Sequence, residues 1–132
     1  MGNIHSTSLA QRRMQMYRAY IDGTSQSVGK RSALAFTITD CKDNIEYQHY
    51  ELLDCNRNYA VIEMMAFNKM LEWALENKIN KVIVYTDSKY VYTNWRNNRL
   101  YSLNRNKFKV FNVRLLGNSK KESNSGRNLA YA

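Results

Sequence analysis

Proline is absent from this chain of 132 residues, and cysteine and histidine occur only twice each. Without proline, no proline-rich linker divides the sequence, and no internal repeat or low-complexity block interrupts it. Cys41 and Cys55 form neither a CxxC pair nor a zinc pattern, so a reduced chain inside the cell, cytoplasmic by default, is the expectation. With only His5 and His49 beside them, no His/Cys cluster competes for a soft metal. No apolar run approaches the ~20 residues of a membrane helix, and no secretory h-region stands near the start. Acidic residues thin out sharply after Asp87, where Glu122 is the last one left.

That scarcity makes the charge lopsided. Residues 1–88 hold ten Lys/Arg against ten Asp/Glu, so the remaining stretch carries the whole formal charge of +9. Lys89, Arg96, Arg99, Arg105, Lys107, Lys109 and Arg114 alternate there with Tyr90, Tyr92, Trp95, Tyr101 and Phe108. Each residue alone reads as solvated surface or core; the cluster together is the footprint of a polyanion partner. A hydrophobic content of 44% argues for a globular chain, and the length fits one domain with one core.

Met1 to Arg13 is polar and aperiodic and reads as a flexible tail, leaving residues 14–132 for the domain. Its Met1-Gly2-Asn3-Ile4-His5-Ser6 fits the loose N-myristoylation pattern at Gly2, for which chance is the better reading. Met16 to Ile21 alternates as a first strand running into Asp22. Ala33 to Thr39 and Ile45 to Leu52 follow as strands around the turn Asp40-Cys41-Lys42-Asp43-Asn44. Asn58 to Glu76 carries Val61, Met64, Met65, Leu71 and Leu75 at helical spacing, with Asn77 suited to its C-cap. Lys81 to Thr86, with Val82, Ile83 and Val84 in succession, reads as a parallel strand buried on both faces. Ser88 is placed to cap a second helix from Lys89 to about Asn97, and Lys107 to Leu116 reads as the last strand.

Three acids stand where this pattern has little room for charge: Asp22 and Asp87 at strand ends, Glu63 on the helix between Val61, Ile62, Met64 and Met65. A carboxylate in such surroundings costs several kcal/mol unless a cation or strong hydrogen bonds compensate it. Taken singly, Asp22 before Gly23 reads as a turn residue and Asp87 as a helix cap, while Glu63 has little structural excuse. Taken together they read as a shared site. Ligation by carboxylate oxygens alone suits a hard cation, Mg²⁺ or Mn²⁺, and two such ions about 4 Å apart are a standard device for phosphodiester hydrolysis.

Asp22-Gly23-Thr24, Ile62-Glu63 and Thr86-Asp87-Ser88, in this order across strand, helix and strand, resemble the motifs of type 1 ribonuclease H. The resemblance spans about Met16 to at least Trp95. It implies an α/β, RNase H-like fold: a five-stranded mixed sheet, three antiparallel strands then parallel ones, with flanking helices. It implies endonucleolytic cleavage of the RNA strand of an RNA/DNA hybrid by a monomer holding two Mg²⁺ ions, with Mn²⁺ as substitute, on Asp22, Glu63 and Asp87. The products would carry 5′-phosphate and 3′-hydroxyl ends. It places RNA contacts near Gly23, Thr24, Ser25 and Asn58, and DNA-phosphate contacts near Ser88, Lys89 and Arg96.

The chain also departs from that family. Tyr131 aligns where a fourth carboxylate is usual, and a neutral phenol does not hold a metal as a carboxylate does, so weaker binding of the second ion or a need for Mn²⁺ is expected. The loop Gly117 to Lys121 lacks the family's histidine, Tyr59-Ala60 replaces an Asn pair before the helix glutamate, and Asn97 to Asn106 leaves no room for a basic handle. The sequence ends inside what would be the final helix, as in a truncated form, a natural minimal domain or a module of a reverse transcriptase or viral polyprotein. Two other readings stay open: a nucleic-acid-binding scaffold that lost turnover, and another nuclease of the same superfold, such as a DNA resolvase or transposase core.

Overall fold

The computed structural model describes residues 15–24, 31–54, 58–100 and 105–117. The tail, Ser25, Cys55, the loop after Gly117 and Tyr131 lie outside these residues. Strand β1 (Tyr17–Thr24) alternates buried and part-exposed positions along nearly its whole length, as a strand with one face on a core must. Strands β2 (Ala33–Thr39) and β3 (Ile45–Leu52) follow as a meander, antiparallel to β1 and to each other. Their turn is closed by Asp40, whose carboxylate accepts from the Lys42 and Asn44 amides at 2.8 and 2.9 Å. Asp43 takes the left-handed conformation there, at φ 68°.

Helix α1 (Tyr59–Glu76) begins at Asn58, whose side chain accepts from the Val61 amide, and ends at Asn77. The left-handed residue that stops it is Lys78, at φ 61°, with the Ile79 amide bonding back to Ala74 O at 2.9 Å. Strand β4 (Lys81–Thr86) pairs in parallel with β1 and with β5 (Val110–Leu115), and between them runs helix α2 (Lys89–Arg96), capped by Ser88. The sheet order is β3-β2-β1-β4-β5, the mixed five-stranded arrangement expected from the sequence.

Three expectations are corrected. The last strand starts at Val110, because a 3₁₀ turn (Arg105–Lys107) precedes it and the Lys109 and Val110 amides both turn to Asn80 O. Strand β4 is fully buried on one face only: Val82 and Val84 are covered, while Ile83 and Tyr85 remain part-exposed. Helix α1 buries Ile62, Glu63, Ala66, Phe67, Met70, Leu71 and Ala74, whereas Val61, taken as inward, is 38% exposed. Val61 stands on the row of Asn68 and Glu72, the polar side of the helix, while small Ala66 and Ala74 allow a close approach to the sheet on the other. Phe67 and Met70 then fill the core with Tyr17, Ile21, Leu34, Ile38 and Val84, each large apolar side chain contributing roughly 1.5–3 kcal/mol on burial.

Candidate metal centre

The parallel ladder between β1 and β4 ends at the pair Tyr20 and Tyr85, whose rings stack with centroids 5.0 Å apart. Asp22 and Asp87 each stand two residues beyond that pair. They therefore sit at the carboxyl ends of adjacent strands, where open α/β sheets place their ligand crevices. Helix α1 supplies the third group. Glu63 lies one turn before Phe67 on the row that faces the core, so its carboxylate is carried inward with the apolar side chains.

Gly23 makes this approach close. A Cβ there would stand 2.5 Å from Ile62 Cγ2 and 3.3 Å from Glu63 Oε2, so any side chain would push α1 away. The outcome is a trio of carboxylates, from Asp22, Glu63 and Asp87, each offering an oxygen within 4.8 Å of the others.

Hydrogen bonds support the trio without neutralising it. The Gly23 amide donates to Asp22 Oδ1 at 2.8 Å. The Thr86 hydroxyl donates to Glu63 Oε1 at 3.3 Å and itself accepts from the Ser88 amide at 3.0 Å. The Tyr59 hydroxyl donates to Asp87 Oδ1 at 2.5 Å. Glu63 is 0% exposed, and its Oε2 has no hydrogen-bond partner. None of the ion pairs among the described residues reaches the trio.

Burial, and then the charges of Asp87 and Asp22, push the Glu63 carboxyl up from 4.5 to about 8. Burial raises Asp22 as well, with the Gly23 amide pulling the other way and Asp87 adding to the rise. A desolvated anionic oxygen without a donor, beside two further carboxylates and no cation, is the donor set that a hard divalent ion satisfies.

Of the residues read as nucleic-acid contacts, Thr24 and Lys89 are exposed, and Gly23 is buried beneath α1. Exposed Asn58 spends its side chain on the α1 cap, accepting from Val61 N at 3.0 Å. Ser88 is 2% exposed, its hydroxyl accepting from Val91 N at 3.1 Å. Arg96 is exposed, with its guanidinium 5.8 Å from the Tyr92 ring centre, and borders an open cleft of about 590 Å³ with Trp95, Asn112 and Arg114. Sequence reasoning missed Tyr59 as a member of the site. Its spacing was the available signal, since a residue four before Glu63 shares its side of the helix.

A mixed sheet in the order β3-β2-β1-β4-β5, with three carboxylates at the mouth of its central strands, is an RNase H-like fold. The RNase H family model matches residues 14–128, and the chain belongs to that family. Among solved structures, it is similar to RNase H1 from the halophilic archaeon Halobacterium salinarum, at 16% identity over 76% of this chain and 85% of that one, with a TM-score of 0.65. It is similar to the N-terminal RNase H domain of a Mycobacterium tuberculosis protein, at 13% identity over 76% and 86%, with a TM-score of 0.64. LC11-RNase H1, solved in complex with an RNA/DNA hybrid, aligns at 16% identity over 76% and 86%, with a TM-score of 0.54. No curated protein sequence matches the chain.

Proposed function

We propose that this chain is a divalent-metal-dependent endonuclease that hydrolyses the RNA strand of an RNA/DNA hybrid and leaves 5′-phosphate and 3′-hydroxyl ends. The observation that carries this reading is the converging trio of Asp22, buried Glu63 and Asp87, with its partnerless Glu63 oxygen, in a chain of the RNase H family. LC11-RNase H1, which shares the fold, was solved with such a hybrid.

In this reading the three carboxylates hold Mg²⁺, two ions in the working state, with Mn²⁺ as substitute. Bound there, the ions supply Lewis acidity, for activating a water and for balancing the charge of the leaving oxygen. The protein's own part is to hold the trio in place. The Gly23 amide fixes Asp22, Thr86 fixes Glu63, and the close seat of α1 keeps bulk water from the Glu63 carboxylate. In this reading exposed Thr24 and the backbone beside Asn58 contact the minor groove and the 2′-hydroxyls that mark RNA. Lys89, Arg96 and the amide region of Ser88 take phosphates of the DNA strand, within the segment that carries the chain's positive excess.

A labelled hybrid incubated with Mg²⁺ and then with Mn²⁺ tests the proposal, with Asp22→Asn and Glu63→Gln as controls. Metal-dependent cutting by the parent, lost in both variants, is expected. No cutting with either metal refutes the enzyme reading, and salt-sensitive hybrid binding without cleavage would identify a scaffold instead. Preference for DNA junctions over hybrids would assign the chain to another nuclease of this superfold.

A further inference from the structure

Tyr59 is the first residue of α1, and Asp87 lies in the turn between β4 and α2. Their hydrogen bond, from the phenol to Asp87 Oδ1, ties the start of α1 to the turn after β4 at the carboxylate trio, beside the bond from Thr86 to Glu63. Asn58, one residue before Tyr59, caps the helix by accepting from the Val61 amide. The tyrosine is 39% exposed, beside part-exposed Asp87 and above buried Glu63 in the helix. Asp22 and Glu63 are held by the Gly23 amide and the Thr86 hydroxyl; Tyr59 supplies the donor that Asp87 receives from across the site, and the same hydroxyl also favours the charged form of Glu63.

We infer that Tyr59 is a positioning residue for the metal centre: its hydroxyl pins one oxygen of Asp87 and so leaves the other free, and oriented, for the cation. The inference rests on the metal-centre reading above. A donor that holds a ligand from outside in this way restricts the carboxylate's rotation and lowers the entropy lost on ligation.

Calorimetric titration of metal-free protein with Mn²⁺, for the parent and for Tyr59→Phe, provides the test. The substitution keeps the ring and removes only the hydroxyl. Mn²⁺ affinity is expected to fall by roughly 10- to 100-fold. The metal-free thermal midpoint, followed by circular dichroism, should stay close to that of the parent, which separates positioning from a general loss of structure. Hybrid cleavage by Tyr59→Phe should return at saturating Mn²⁺ with KM for the hybrid unchanged. Equal or tighter Mn²⁺ binding by the variant overturns the inference, the tighter case marking the phenol as a competitor of the cation. A collapsed thermal midpoint also overturns it, in favour of a structural tie. If the parent itself takes up no Mn²⁺, the metal-centre reading fails and this inference with it; if the parent binds and the variant binds equally, only the inference fails.

Discussion

Glu63→Gln should make the metal-free protein more stable at pH 8 while abolishing the activity proposed for it. Glu63 is fully buried, accepts one hydrogen bond from Thr86, and has its carboxyl pushed up from 4.5 to about 8. An acid whose pKa is higher in the folded than in the unfolded chain stabilises the fold fully only below the unfolded value, and that contribution is lost as pH rises through the folded one. For Glu63 the window runs from 4.5 to about 8. At ~1.4 kcal/mol per pKa unit the loss is about 5 kcal/mol, comparable with the whole stability of a small domain. Glutamine has nearly the same shape, keeps a carbonyl for Thr86, and offers an amide to the neighbouring carboxylates without adding charge. Urea unfolding of metal-free protein between pH 5 and pH 9 should therefore show a falling midpoint for the parent and a much flatter profile for Glu63→Gln, with the curves diverging toward pH 8. Mg²⁺ should restore the parent alone, by ~2.7 kcal/mol at a hundredfold excess over its dissociation constant. A parent profile that is level with pH, or a variant less stable than the parent at pH 8, would refute this account of the trio as an uncompensated charge cluster.

Other consequences can be checked separately. Gly23→Ala puts a methyl group 2.5 Å from Ile62 Cγ2, and the resulting shift of α1 should cost about 1–3 kcal/mol in chemical unfolding and weaken Mn²⁺ binding as well. Ser88→Ala removes the α2 cap and should lower stability by about 1 kcal/mol, read from the thermal midpoint, because the Val91 amide loses its partner. Because Glu63 and Asp22 must lose protons to ligate, kcat/KM on a hybrid should rise as pH approaches 8, and raising Mn²⁺ should move the midpoint of that rise to lower pH. A midpoint indifferent to metal concentration would show that these carboxyl protons do not compete with the ion.

Much of the fold could be read from alternation and turn chemistry. Strands β2, β3 and β4 have the limits that the sequence proposed, because polar turns bracket runs whose period of two is clear. Ser88 announced the start of α2 by its chemistry, whereas Asn58, read as a groove contact, proved to be the cap of α1. Where the signal failed, a tertiary contact had decided the matter. Val61 and Ile62 are equally apolar, yet Ile62 packs over Gly23 with the row of Ala66 and Met70 while Val61 falls on the side of Asn68 and Glu72. Lys109 looks like strand, yet its amide is claimed by Asn80 O at 2.7 Å, which delays β5. The trio itself was legible because acids in apolar contexts are costly and therefore conspicuous. Tyr59 was not, since a tyrosine at a helix start is unremarkable until the fold swings Asp87 against it.

The three carboxylates come from the first strand, the long helix and the turn after the fourth strand, so no early fragment of the chain contains the centre. The antiparallel hairpins of β1, β2 and β3 join near neighbours in sequence, whereas docking β4 beside β1 requires the intervening helix to be in place. During synthesis, a ribosome that has released residues only through α1 presents two of the acids and nothing to complete the cage. On the proposed reading, cation capture waits until Asp87 has docked beside the other two acids.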